Sequence, residues 1–422
     1  MEAKGAIEAM RQLGALPPPE QEALRSAVEA RRGELVELVG ALLERPSTLG
    51  NEEPAQTIVE AYLRASGFAV ERVQPDAQAA LEDPYAGYPY LSYEGRSSVA
   101  ARLPGAGGGR SLHLSGHIDV VPVERPELWD GDPWRARLAD GRIWGRGAGD
   151  MKGGLAAYLV AAAAVAEVCS ARRGELLFSS VIEEECGGNG MWSVLRAGYR
   201  GDAVLIGEST ALRLGHAATG VVWARLSARG QAGHSMLGGG EGPFDHLCRA
   251  VAALRRVEAE INEPVVDPIF AAVRERPYGM TVGRIEGGVW TASTPHELAA
   301  HIRFGFGRDL EPGEVQRRLR DAVGSAAPEV AVDFEAFRAR AHSHPTSGPL
   351  VDTLAAAHRS VLGGDPEPVA MTGTNDGRYV EAPCLCYGPA AGNLHGSDEW
   401  VDLQTLVQTA TVVALTAGSW SA

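Results

Sequence analysis

Apolar residues change their spacing along the chain, and the changes outline its elements. Residues 1–31 are of mixed polarity, contain Pro17-Pro18-Pro19, and predict a helical N-terminal appendage interrupted by those prolines. Leu35, Leu38, Val39 and Leu42 then fall on one helical face ending near Pro46. A second helix carries Ile58, Val59, Tyr62 and Leu63 and stops at Gly67. Short apolar runs follow at Ser111–Leu114, Leu176–Ile182 and Ala203–Ile206, separated by helical segments at Lys152–Val168 and Met191–Leu195. Such alternation predicts an α/β domain with a central sheet and helices on both faces.

From about Gly215 the texture changes. Val221–Ala228 alternates apolar with polar residues, as a half-exposed strand does. A helix over Pro243–Ile261, strands near Met280–Ile285 and Leu298–Phe306, a helix over Pro312–Val323 and a strand over Val330–Phe337 follow. That order, β-α-β-β-α-β, is the ferredoxin-like unit. The α/β texture returns after about Ser343, with a helix over Leu350–Val361, a strand over Cys384–Tyr387 and a helix from Leu403. The fold class expected is therefore an α/β sandwich interrupted by a ferredoxin-like insertion. Residues 32–213 and 340–422 would form the larger domain and 214–339 the inserted one.

Composition narrows the partners. Of 422 residues, 45% are hydrophobic and 22% charged, an ordinary globular balance. Net charge is −15, from 39 basic and 54 acidic side chains, which argues against nucleic acid and anionic membranes. No signal peptide is read at the N-terminus, and the apolar run from Gly154 to Val168 suits a buried helix better than a membrane span. Five scattered cysteines fit a reduced compartment, so a cytoplasmic location is expected. Cys384 and Cys386 lack zinc spacing and read as core residues.

Five segments offer hard metal ligands at element ends: Ser115-Gly116-His117-Ile118-Asp119, Gly145 to Gly154 with Asp150, Glu183-Glu184-Glu185, Gly207-Glu208, and Gly392 to Glu399 with His395. In open α/β sheets, sites form beyond the carboxyl ends of strands. His117, Glu185, Glu208 and His395 each follow a predicted strand, and Asp150 precedes a helix. Singly, a histidine after a strand is more often a satisfied loop or core residue, and an acidic run is more often a solvated face. Here the acidic run ends a buried strand and meets Gly187-Gly188, and five such coincidences agree. The glycine-rich stretch lacks P-loop spacing and is not read as a phosphate loop. Imidazole and carboxylate donors together suit zinc, with cobalt or manganese as substitutes, and one bridging carboxylate would let five ligands hold two ions.

These segments resemble the co-catalytic zinc exopeptidase family that includes acetylornithine deacetylase, succinyl-diaminopimelate desuccinylase, aminoacylase and glutamate carboxypeptidase. The resemblance spans about residue 33 to the end. It implies a zinc-binding α/β domain with a ferredoxin-like lid that often forms a homodimer. It implies that His117 and Glu208 bind one zinc, Glu185 and His395 the other, and that Asp150 bridges. Asp119 would orient the His117 ring, and Glu184 would be the general base. A cis peptide is implied at Asp150-Met151. In Gly233-His234-Ser235, His234 would reach the partner subunit's site and hold the oxyanion. Arg378, Arg303 and Asn375 would contact the substrate, with Arg378 preferred for gripping its carboxylate.

The chain departs from the family pattern at three places. Ala292-Ser293-Thr294-Pro295 replaces an Asn-x-x-Pro pattern, Glu241-Gly242-Pro243-Phe244-Asp245 replaces Gly-x-Asn-Ala, and Ser209 replaces the usual proline after Glu208. None touches a ligand, and the first two bear on substrate recognition. Gly392–Val401 and Trp290–Pro295 sit closer to the acetylornithine deacetylase branch than to the carboxypeptidases. The activity implied is hydrolysis of the amide of a small N-acyl amino acid or related compound. A dipeptidase or carboxypeptidase, redirected biosynthetic acyl chemistry and a non-hydrolytic metal-binding protein stay open as alternatives.

Overall fold

The computed structural model describes residues 16–231, 233–234 and 241–422. The chain enters through helices α1 (Pro18–Ala30), α2 (Arg32–Leu43) and α3 (Glu53–Ala65), then strands β1 (Ala69–Val73), β2 (Ser98–Leu103) and β3 (Leu112–His117). Helix α4 (Gly153–Val168), strand β4 (Leu176–Val181), helix α5 (Asn189–Arg196) and strands β5 (Ala203–Ile206) and β6 (Leu214–Ala218) follow. Next come β7 (Gly220–Arg229), α6 (Pro243–Ile261), β8 (Met280–Gly287), β9 (Glu297–Phe306), α7 (Pro312–Ala326) and β10 (Val330–Ala339). The chain closes with β11 (His342–Ser343), α8 (Pro349–Leu362), β12 (Pro368–Met371), β13 (Cys384–Cys386) and α9 (Leu403–Trp420).

A large mixed sheet runs β1-β2-β4-β3-β5-β13-β6-β11, with β12 also paired to β6. Its centre, β4-β3-β5-β13, is parallel, and the strands beyond β4 and β13 pair antiparallel to them. Every residue of β3, β4 and β5 is buried. Covered on both faces, these strands need no polar-out positions, and β5, Ala203-Val204-Leu205-Ile206, is apolar throughout. Alanine-rich α4 packs against α9 and α1. The stretch Ala148–Val168 has the length and composition of a membrane span, yet most of it is buried inside the fold. Because β3, β4 and β5 are parallel, His117, Glu183–Glu185 and Glu208 emerge at one edge.

The second sheet is antiparallel in the order β8-β9-β7-β10. Its helices α6 and α7 cover one face, around Leu226, Leu254, Ile302, Phe304 and Leu319. This is the ferredoxin-like arrangement the alternation predicts. A small four-stranded sheet of Arg137–Ala139, Arg142–Trp144, Ala391–Gly392 and Trp400–Asp402 joins the approach to Asp150 with the segment around His395.

Two features differ from the sequence reading. Helix α1 is part of the main core, where Leu24 and Val28 are buried, and is no appendage. Residues 1–15 of the expected appendage lie outside the described residues. Pro18 occupies the first helical turn, where no intrahelical N–H partner is needed. Strand β6 belongs to the large sheet, so the chain leaves that sheet after Ala218 and not at residue 213.

Candidate metal centre and substrate cavity

Each candidate ligand is fixed by the element that carries it. His117 is the last residue of β3 and is buried. Its Nδ1 lies 2.9 Å from the main-chain carbonyl oxygen of Asp119 and can donate to it, which turns Nε2 toward the edge. Asp150 precedes α4, and its peptide to Met151 is cis. The surrounding glycines permit close packing: a Cβ on Gly154 would lie 1.9 Å from the Gly207 carbonyl oxygen, beside Glu208. Glu183 and His395 both sit at positive φ, 66° and 63°, a conformation that non-glycine residues adopt mainly under local constraint.

Together these side chains make one cluster. Asp150 faces two imidazoles with its two oxygens, Oδ1 at 3.1 Å from His117 Nε2 and Oδ2 at 3.0 Å from His395 Nε2. Glu185 Oε2 lies 3.2 Å from the same His395 nitrogen, and Glu208 Oε1 lies 3.8 Å from His117 Nε2. His117, Asp150 and Glu185 offer ligand atoms that all lie within 4.8 Å of one another.

The electrostatics are those of crowded acids. Burial, and then repulsion from Asp150, push Glu185 up to about 7. Burial raises Glu208 well above the carboxylate range. Burial also works against ionised Asp150, but hydrogen bonds from His117 and His395 outweigh it and hold that group low. Bonds to Asp150 and Glu185 push His395 up to about 11. Such a set demands compensating positive charge. Imidazole and carboxylate donors arranged about a carboxylate with two occupied sides fit a pair of divalent ions.

Several expected residues take other positions. Asp119 was read as orienting the His117 ring with its carboxylate, but Oδ1 is 3.8 Å from Nδ1 and the main-chain carbonyl is nearer. The carboxylate instead accepts from the N–H groups of Glu184 (3.2 Å) and Glu185 (3.0 Å), so it fixes the turn bearing both acids. Arg378 is not open to substrate, because its side chain is only 1% exposed. It donates to the Asn375 carbonyl (2.8 Å), Thr374 Oγ1 (3.2 Å) and the Gly187 carbonyl (3.2 Å), and reaches Glu184 Oε1 at 3.5 Å. Asn375 is buried and its Oδ1 accepts from the Gly377 N–H, capping the turn that carries Arg378. Neither lines the cavity; the structure gives both a supporting place because that turn packs behind Glu184. The side chain of His234 and Ser235 lie outside the described residues, while the Gly233–His234 backbone pairs with Ser293–Thr294.

Above the cluster opens a cavity of about 450 Å³, lined by Glu184, Asp150, Glu185, Glu208 and His395 on one side and by Arg303, Trp223 and Phe337 on the other. Sequence reasoning missed the two aromatic residues, which an alternating strand does not distinguish from ordinary packing. It also missed Glu399. That buried carboxylate accepts from Arg146 Nη1 (2.6 Å) and from the N–H groups of Gly147 (3.0 Å), Gly149 (2.9 Å) and Asp150 (2.8 Å). Arg146 also donates to the His395 carbonyl at 3.1 Å. The pair ties the Asp150 loop to the His395 loop. An arginine set among glycines at 145–147 is the one signal that could have suggested it.

The chain is similar to known proteins along most of its length. The sequence profile of Peptidase family M20/M25/M40 matches residues 113–419. Succinyl-diaminopimelate desuccinylase from Methylocella silvestris is 29% identical over 90% of this chain and 96% of its own length. N-formyl-4-amino-5-aminomethyl-2-methylpyrimidine deformylase from Bacillus subtilis is 26% identical over 94% and 97%. The dipeptidase Dug1p from Saccharomyces cerevisiae shares the fold, with a TM-score of 0.76 at 14% identity over 95% of this chain and 98% of that one.

Proposed function

The chain belongs to peptidase family M20/M25/M40 and is a hydrolase of amide bonds, and from that premise we propose that it removes an acyl group from the nitrogen of a small amino-acid-like substrate. One observation carries the reading. Asp150 places its two oxygens against two imidazoles, with Glu184 and Arg303, which has no carboxylate partner among the described residues, on opposite sides of the same cavity. His117 and Glu208 would hold one divalent ion, Glu185 and His395 the other, and Asp150 would serve both. Zinc suits the donors, with cobalt or manganese as substitutes. When bound, the ions supply an acidified water and polarise the amide carbonyl.

The chain's own groups do the rest. Glu184 accepts a proton from the attacking water as its oxygen bonds to the carbonyl carbon. It returns that proton to the nitrogen as the C–N bond breaks. Arg378 holds the Glu184 carboxylate in place from behind. Arg303 receives the substrate carboxylate, a task its planar donors suit. His234 is assigned to the oxyanion. Residues 219–339 are read as a lid and as the surface of a homodimer, through which His234 would act on the partner's site.

The test is a panel of N-acetyl, N-formyl and N-succinyl amino acids and dipeptides, offered to zinc- or cobalt-loaded protein with a chelated control. Chelator-sensitive release of free amine from an acyl amino acid is expected. Turnover confined to dipeptides would replace the deacylase reading with a peptidase, and turnover that survives chelation would remove the metal from it.

A further inference from the structure

The cavity has a second character that hydrolysis alone does not require. On the inserted sheet, Arg303 in β9 stands directly opposite Trp223 in β7. The Trp223 ring meets that of Phe337 edge-on, with centroids 5.1 Å apart at 63°. Val221, two residues before Trp223, continues this apolar surface, and Met371 and Leu394 also line the space. Half-buried Trp223 thus lines a chamber that also holds the reacting edge.

Charge in the chamber is sparse on the same side. Arg303 donates to main-chain oxygens alone, those of Gly279 (3.2 Å) and Thr372 (3.5 Å), and no carboxylate pairs with it among the described residues. Arg378 is spent on Glu184 and its own turn, as above. Among the described lining residues Arg303 is therefore the one cation free to meet an anionic group.

Resting on the deacylase reading, we infer that the substrate carries a single carboxylate for Arg303 together with an aromatic or bulky apolar group, and that Trp223 selects for that group. A ring buried against Trp223 and Phe337 gains both apolar burial and edge-to-face contact. A second carboxylate placed there would lose its water and find no cation.

Calorimetry on the zinc-loaded full chain tests this with three probes: 3-phenylpropanoate, propanoate and succinate. The ring-bearing acid should bind at least about tenfold more tightly than either of the others, the scale on which apolar pockets discriminate. Trp223→Ala should bring the ratio over propanoate to within about threefold, while Trp223→Phe keeps most of it. Propanoate binding to Trp223→Ala shows that the site is still formed. Succinate binding tightest, or a ring preference untouched in Trp223→Ala, would overturn the inference. The acyl amino acid panel separates the two claims. Turnover without ring preference sinks this inference alone, and ring preference without any deacylation sinks the deacylase reading alone.

Discussion

The wall of the cavity built from strand ends and the wall built from the inserted sheet hold their side chains in different ways. On the first, hydrogen bonds fix the elements that carry the acids and imidazoles: His117 to the Asp119 carbonyl, the Glu184–Glu185 turn to the Asp119 carboxylate, and the Asp150 loop to Glu399. On the second, Arg303 donates among the described residues only to two carbonyl oxygens, and Trp223 rests on the Phe337 ring. Chemistry that needs atoms held within fractions of an ångström sits on the rigid wall. The looser wall can change its occupant without disturbing the ligands. Substitutions on the two walls should therefore separate rate from affinity.

The largest separation is expected between Glu184→Gln and Arg303→Met. Losing the proton acceptor should lower kcat by about 10²–10⁴ and leave KM near its original value. Losing the guanidinium should raise KM, lowering kcat/KM by roughly 10–100-fold, the worth of a hydrogen-bonded charge. Steady-state kinetics on the best substrate of the panel decides. If Glu184→Gln turns over within a few fold of the parent, the base lies elsewhere. If Arg303→Met loses kcat at constant KM, the second wall also acts on the transition state and the contrast collapses.

A smaller effect sharpens the contrast within the first wall. Glu399 touches no ligand atom of the cluster, yet it accepts from three successive parts of the Asp150 loop and from Arg146. Glu399→Gln should weaken zinc binding about 10–100-fold, the usual cost of losing a group that orients ligands. Competition with a chelator measures it, and a melting curve at saturating zinc shows whether the fold survives. Unchanged affinity would mean that the loops hold their positions without this carboxylate.

The same contrast explains what could be read from the sequence. His117, Asp150, Glu185, Glu208 and His395 follow strands or precede a helix, so a linear rule finds them. The inserted sheet was legible because its strands alternate and its elements follow a known order. Arg378 was misread because sequence places it near the site without telling whether its side chain faces the cavity or the packing behind Glu184. Trp223 and Phe337 carry no mark either. Phe337 lies where β10 shifts register between Glu335 and Arg338, and such a bulge changes which residues share a face without leaving a trace in the alternation. Glu399 sits in an acidic run, Asp398-Glu399, that reads as solvated surface, and only the fold brings Arg146 onto it.

The last and smallest effect asks whether the strand-end wall inherits its rigidity from β3. His113 lies in that strand, four residues before His117, fully buried with Nε2 2.8 Å from Ser179 Oγ in β4. Burial pushes its imidazole down to about 3, against an ordinary value of 6.5. The folded protein therefore keeps His113 neutral between pH 6.5 and 3, where the unfolded chain protonates it. Its contribution to stability is complete above pH 6.5 and declines as pH falls, by at most about 1.4 kcal/mol per unit. His117 and His395, raised by their carboxylate neighbours, act in the opposite sense, so the quantity to measure is a difference. Urea unfolding of the parent and of His113→Asn at pH 7.0, 6.0 and 5.0 supplies it, since the other groups cancel between the two proteins. The parent should lose more stability on acidification than the variant. Equal slopes would show that protons reach His113 in the folded state, and that β3 is too mobile to be what fixes the ligand at its end.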